Sequence, residues 1–332
     1  MGRIFFFGLV TLLFIIQDIY CYYTIKGFNI SERALRLSRF AYLSVTILSY
    51  AILIGLIWYF VQSRPIYRTE RINLMTGLLF AVIVSKIVFT IVMILQDGGR
   101  VIVGAFNFIK SSLIYESSQT SHAFIPERRQ FITTAGTFLS GSLFISMLYG
   151  ITKGKYKYVV ERLELDFEDL PEAFDGFKIV QISDIHSGSF DNPDKVALGV
   201  DKINGLNPDI VCFTGDLVNF EKDEINPYID IFSKIQSKYG KFATLGNHDY
   251  LGTYDRKDPK AEKAYFVDFK KKLNQMGFDL LNNENRTLTI QGESIHIVGV
   301  ENWGRDHWFP KKGDLVQATS DIKDESFNIL LS

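Results

Sequence analysis

Apolar positions follow two regimes along the chain: unbroken runs of about twenty residues up to about residue 150, and much shorter runs separated by charged residues beyond it. Runs long enough to cross about 30 Å of hydrocarbon as helices occupy residues 4–23, 40–61, 74–95 and 131–151, each flanked by arginine or lysine. The first is longer than the apolar core of a secretory signal. The sequence behind it, "QDIYCYYTIKG", has no small-residue cleavage site, so it reads as a retained span. Between the third and fourth runs, "RVIVGAFNFIKSSLIY" carries Ile102, Phe106, Ile109 and Leu113 at helical spacing, which predicts a separate helix lying in the membrane interface.

The second half alternates strand-like and helix-like patterns. "FKIVQISD" (177–184), "DIVCFTGD" (209–216) and "GKFATLGN" (240–247) are short apolar runs that end in Asp, Asp and Asn. "PDKVALGVDKINGLN" and "EINPYIDIFSKIQSKYG" between them have helical periodicity, with proline near each start and glycine near each end. The pattern is βαβαβ. Asp184, Asp216 and His248 recur every 32 residues, about the length of one βαβ unit, so parallel strands would bring all three to one edge of the sheet. The expected organisation is a multi-pass transmembrane region over 1–151, a linker with a lead-in strand over 152–175, and an α/β domain over 176–332.

Composition narrows the functional classes. A formal net charge of −1 over 332 residues gives no polyanion-binding signature, so no nucleic-acid partner is expected. Cys21 falls in a span and Cys212 in a strand, which suggests no disulfide. With four spans, both ends of the membrane region lie on one side, and the positive residues on the two sides nearly balance. Arg128 and Arg129 in "ERRQFITTAG" resemble a twin-arginine signal and place that end in the cytoplasm, hence the soluble part outside it. Two ionisable residues lie within the spans. Lys86 is expected to find a buried partner, and Asp18 to sit at the interface.

The strand ends carry the chemistry in "SDIHSG", "TGDLVN" and "GNHDY", in a chain with five histidines. On an extended strand end, D-x-H points Asp184 and His186 to the same side, where a carboxylate and an imidazole can grip one ion. Gly215 permits a sharp turn, Asp216 can offer oxygens to two ions, and Asn247 can offer an amide oxygen to the second. His248 and Asp249 remain for proton chemistry. Oxygen and imidazole donors without thiolate suit Mn, Fe, Zn or Mg rather than a structural zinc cage.

In these motifs, residues 178–332 resemble the calcineurin-like metallophosphoesterases, most closely the membrane-anchored bacterial branch related to lipid-linked sugar nucleotide hydrolases. The resemblance implies a four-layer α/β/β/α sandwich and two divalent metal ions. Asp184 and His186 would bind one ion, Asp216 would bridge both, and Asn247 would bind the second. His248 would stabilise the transition state or protonate the leaving group, with Asp249 orienting it. The implied reaction is hydrolysis of a phosphomonoester, phosphodiester or pyrophosphate, on a lipid-linked or nucleotide substrate at the bilayer. Trp303, Trp308 and Phe309 are candidates for an apolar wall. Family members go on to a strand-end histidine and a G-H-x-H loop, absent here. His122, His296 and His307 read as linker, sheet-face and loop residues. The strand-like "FNILL" runs almost to Ser332, where the resemblance places the next histidine, so the expectation is an incomplete domain with at most one weakly held ion and little turnover by itself. The alternative reading is a non-catalytic, membrane-tethered module that binds a metal or ligand.

Overall fold

The long apolar runs fold as helices α1 (Gly2–Thr24), α2 (Glu32–Ser63), α3 (Glu70–Leu113) and α4 (Pro126–Thr152). The structure, a computed structural model, describes residues 2–28, 30–63, 70–113, 126–253, 258–304, 311–323 and 326–332. Among these, three helical stretches are long and apolar enough to cross a membrane: Glu32–Phe60, Arg71–Ile109 and Arg129–Thr152. The first predicted span is the 23-residue α1, several of whose side chains lie outside the described residues. Phe40, Ile47, Trp58, Leu95, Phe138 and Ile145 are all exposed. An outward apolar surface of that extent suits lipid, not water.

Two expectations for this region change. The interfacial helix is not separate, because α3 continues unbroken through Gly98 and Gly99 to Leu113. Two glycines cost a helix about 1 kcal/mol each, which the apolar runs on either side outweigh. The 39-residue stretch of α3 is about 58 Å long at 1.5 Å per residue, nearly twice a hydrocarbon core. Asp18 is not left at an interface either. Lys86 Nζ donates to Asp18 Oδ1 at 2.7 Å and to Thr46 Oγ1 at 2.9 Å. The hydroxyls of Tyr42 and Tyr50 donate to the two oxygens of Asp18 at 2.7 and 2.9 Å. The carboxylate therefore links α1, α2 and α3, with every charged atom partnered.

The chain divides into two compact units, one drawn from residues 1–155 and one containing Tyr156–Ser332. In the second unit, β1 (Ile179–Ile182), β2 (Ile210–Phe213), β3 (Gly240–Ala243) and β4 (Asp279–Leu280) form an all-parallel sheet in the order 1-2-3-4. A second sheet joins the antiparallel hairpin β5 (Glu284–Ile290) and β6 (Glu293–Gly299) to β7 (Asn328–Leu331), parallel to β6. Ile210, Cys212 and Phe242 from the first sheet share a core with Ile295, Ile297 and Leu331 from the second. The opposite face of the first sheet, through Val211, Phe213 and Ala243, packs against α5 (Pro193–Asn204), α6 (Ile229–Phe232) and α7 (Pro259–Gln275). Beyond the second sheet, Val298 and Val300 meet Ala318 of the one-turn helix α8 (Leu315–Ala318), so the order of layers is α/β/β/α with a short last layer.

α5 forms as expected, with Asn192 capping the Lys195 N–H and Pro193 in the first turn. The second expected helix does not form as one piece. It is a 3-10 stretch, Lys222–Tyr228, followed by the single turn α6, because Pro227 lacks an N–H and sits where the helix would need one. The lead-in strand expected within 152–175 is also missing. Residues 157–166 have no ladder partner, and Leu163 and Leu165 are exposed.

Candidate metal centre

Parallel pairing in register, Ile182 with Phe213 and Phe213 with Ala243, brings the C-terminal ends of β1, β2 and β3 to one edge. The loops that leave it interlock through their backbones. The N–H groups of Asp184, His186 and Ser187 donate to the carbonyls of Gly215, Asp216 and Leu217 at 3.0, 3.0 and 2.9 Å. Gly215, at φ +98°, lies so close to Gly246 that a Cβ on either would strike the other loop. The glycines of "GD" and "GN" are needed because the two loops touch backbone to backbone.

Three predicted site residues have left-handed backbones: Asp184 at φ 52°, His186 at 46° and Asp216 at 59°. Each costs of order 1 kcal/mol or more, and such residues gather where the side-chain placement matters. This corrects the D-x-H reading. β1 ends at Ile182, so Asp184 and His186 are not on an extended strand, and a turn rather than strand alternation brings them together. His186 Nε2 is 3.8 Å from both Asp184 Oδ1 and Asp216 Oδ2. That is too long for hydrogen bonds and suits donors arranged around a shared ion. Asp184 is the exposed member, its side chain 67% accessible against 12% for Asp216.

His248 completes the group. Its backbone N–H donates to Asp216 Oδ1 at 2.8 Å, and its ring Nδ1 is 2.8 Å from the carbonyl oxygen of Asn219. A carbonyl only accepts, so Nδ1 carries the proton, and in the neutral ring the lone pair is on Nε2. The rings of His186 and His248 meet edge to face. One ligand atom from each of His186, Asp216 and His248 lies within 4.8 Å of the others. His186 Nδ1 is buried without a hydrogen-bond partner. The His186 imidazole and the Asp216 carboxylate are donors for Mn, Fe or Zn, and the residues present fit such an ion with the His248 ring beside them. Asn247, between Gly246 and His248, is half-buried, and its carbonyl accepts from the Tyr250 N–H.

Asp249 does something the sequence did not suggest. Fully buried, its carboxylate accepts from the N–H groups of Asp216, Leu217, Val218 and Gly246 at 2.9, 2.8, 3.3 and 2.9 Å. It pins the loop after β2 to the loop after β3, while the His248 ring is held by Asn219. Burial pushes the Asp249 carboxyl up to about 7, against the pull of the amides. A second buried carboxylate, Glu224, was missed. It accepts from the N–H groups of Asn219, Phe220 and Glu221 at 2.6, 3.1 and 3.2 Å and so fixes the carbonyl that orients His248. The available signal was an acid at the third position of a helical turn just behind the Gly-Asp loop, a capping box with Glu221. Phe220, also missed, is exposed with its ring centroid 6.4 Å from that of His248.

Two family profiles match the chain: "Probable Calcineurin-like phosphoesterase, transmembrane domain" over residues 2–155, and "Calcineurin-like phosphoesterase" over residues 177–330. The chain is a calcineurin-like metallophosphoesterase with an N-terminal transmembrane domain. Its relatives come from bacteria and animals. An uncharacterized metallophosphoesterase of Bacillus subtilis is 28% identical over 61% of this chain and 68% of its own length. A zebrafish transmembrane protein with a metallophosphoesterase domain is 31% identical over 31% of this chain, which spans 24% of that protein. A Chlamydia trachomatis UDP-2,3-diacylglucosamine pyrophosphatase is 30% identical over 43% of this chain and 55% of that protein. In this metallophosphoesterase His296 lies on β6, where its Nδ1 meets Thr287 Oγ1 across the hairpin at 3.1 Å. Trp303 is exposed and has the Lys311 ammonium over its ring. His122, His307, Trp308 and Phe309 lie outside the described residues.

Proposed function

We propose that the protein is a membrane-anchored, metal-dependent phosphoesterase whose site holds two divalent ions. The observation that carries the reading is the convergence of His186, Asp216 and His248 from three successive strand-end loops. Asp184 and His186 would hold one ion, Asp216 would lie between the two, and Asn247 would serve the second. When bound, such ions supply Lewis acidity toward phosphoryl oxygens and a water made acidic enough to act as nucleophile at neutral pH. The protein's own residues do the rest. Asp216 and Asp184 draw the cations to the sheet edge, and the Asp249 and Glu224 carboxylates fix the loops so that nothing need reorganise during reaction. With Nδ1 anchored on Asn219, the His248 ring presents Nε2 to the cleft, where it donates a hydrogen bond to the leaving oxygen once protonated.

The substrate class is a phosphodiester or pyrophosphate with an apolar or planar group beside the scissile phosphate, carried on a lipid or nucleotide. Supporting this are the exposed Phe220 ring next to His248, the transmembrane domain, and the name of the Chlamydia relative. The test is hydrolysis of bis-(p-nitrophenyl) phosphate by the intact membrane-bound protein with added Mn, before and after chelation. Metal-dependent turnover abolished in His186→Ala supports the reading. Tight metal binding without turnover on any phosphoester offered would instead make it a binding module.

A further inference from the structure

The membrane unit contains two contrasting groups of charge. The Asp18 and Lys86 pair is satisfied internally: both carboxylate oxygens and the ammonium are engaged. The turn that joins α1 to α2 is different. Arg39 on α2 places its guanidinium over the Tyr22 ring, with Cζ 5.3 Å from the centroid, yet its Nε and Nη2 are buried without a hydrogen-bond partner. Arg129, in the first turn of α4, likewise has a buried and unpartnered Nε, which lies against Gly27. Both α2 and α4 pack on the Ile25–Gly27 turn, so Arg39 meets the last turn of α1 at Tyr22 and Arg129 meets the turn that follows it at Gly27. The nearby carboxylate is already engaged: Asp97 accepts from the Tyr20 hydroxyl at 2.9 Å and pairs with Arg100.

A buried guanidinium N–H without an acceptor is costly, and a charged one more so. Natural structures resolve such groups with an anion or water. The level of the site identifies the anion. It lies where α1 ends, at a pair of tyrosines, Tyr22 and Tyr23, with Lys26 over the second ring. Aromatic rings and snorkelling cations of this kind mark headgroup depth. Arginine's planar fork matches phosphate oxygens two at a time.

We propose that Arg39 and Arg129 form a binding site for the phosphate of an anionic phospholipid headgroup at the α1–α2 turn. The site is separate from the metal centre and assigns a lipid dependence to the membrane domain.

The experiment uses the full-length protein, solubilised in neutral detergent and titrated with phosphatidylglycerol, phosphatidylcholine or inorganic phosphate. Bound lipid is read by native mass spectrometry, and thermal unfolding is followed in parallel. Phosphatidylglycerol should be retained and should raise the unfolding temperature, with phosphatidylcholine and inorganic phosphate doing neither. Arg39→Gln with Arg129→Gln should weaken retention at least about tenfold, as expected for removing two headgroup cations, and Arg33→Gln with Arg36→Gln, which are exposed, should change it little. If the glutamine pair does not fold, Arg39→Lys with Arg129→Lys keeps the charge without the fork and should still lose affinity. Retention unchanged in the lysine or glutamine pair, or lost equally in the exposed pair, would overturn the site. Stabilisation by inorganic phosphate alone would overturn its assignment to lipid.

Discussion

The imidazole rings of His186 and His248 meet edge to face, their centroids 4.7 Å apart, although they leave the ends of different strands. Asp216 connects them. One carboxylate oxygen is 3.8 Å from His186 Nε2 and the other accepts the His248 N–H. Asp216→Asn should therefore remove the charge that connects the two rings while the loops keep their form. Metal affinity, measured by Mn titration of the intact protein, is expected to fall at least about a hundredfold, beyond what loss of a supporting partner produces. Turnover should fall with it. Affinity within a few-fold of the parent would remove Asp216 from the proposed centre.

Asp249→Asn should act on stability first. Four N–H groups point at this buried carboxylate, and the carboxamide would turn an NH2 group toward donors. The expected loss is about 2–4 kcal/mol, read as a lower unfolding temperature of the intact protein without metal. A variant as stable as the parent but inactive would instead favour a direct role at the His248 ring.

Gly246→Ala tests the loop contact. A Cβ there would strike the Asp216 carboxylate and its backbone nitrogen, so the second and third loops would have to separate. Metal affinity should drop even though no donor is removed. Gly176→Ala is the comparison: that glycine has positive φ, which Gly246 does not, but a Cβ there meets only open space, so it should affect stability modestly and metal binding not at all.

The part of the site that was legible in the sequence is the part set by periodicity. Short apolar runs ending in Asp184, Asp216 and His248 at equal spacing were sufficient for a parallel sheet and one shared edge. Backbone handedness left no such trace. Asp184 and His186 adopt left-handed turns that hydrophobic alternation does not encode. Asp249 was expected to orient the histidine beside it, whereas its carboxylate is held by amides, three of the four more than thirty residues away. Glu224 belongs to a turn that looked like the start of a longer helix, and Pro227 decided otherwise. In the membrane unit, the segment after residue 99 was expected as a separate helix, but α3 continues through Gly98 and Gly99 into it.

The end of the membrane unit with the α1–α2 turn and the start of α4 carries Lys26, Arg33, Arg36, Arg39 and Arg129, while α4 finishes near Lys153 and Lys155. If the arginine-rich end is cytoplasmic, the soluble domain is outside the cytoplasm. Protease added to intact cells should then cleave the domain, and a cysteine placed at exposed Leu163 should react with an impermeant maleimide. Reaction only after lysis would reverse the orientation.

Asp18 and Lys86 are expected to be coupled. Within the bundle, Lys86→Met leaves a carboxylate supported by two tyrosine hydroxyls, and Asp18→Leu leaves an ammonium facing Thr46 and the Tyr42 ring. Each single change therefore strands a charge in a place with little water, and each should destabilise the membrane unit by about 2–4 kcal/mol. The double variant removes both charges together. It should be more stable than the sum of the single losses implies, by at least about 1 kcal/mol, and the difference is the coupling of the pair. Unfolding of the membrane unit in a denaturing detergent titration, followed by helical circular dichroism, measures all four proteins of the cycle. Strictly additive losses would mean that Asp18 and Lys86 do not hold α1 to α3, and that each is satisfied separately by the hydroxyls around it.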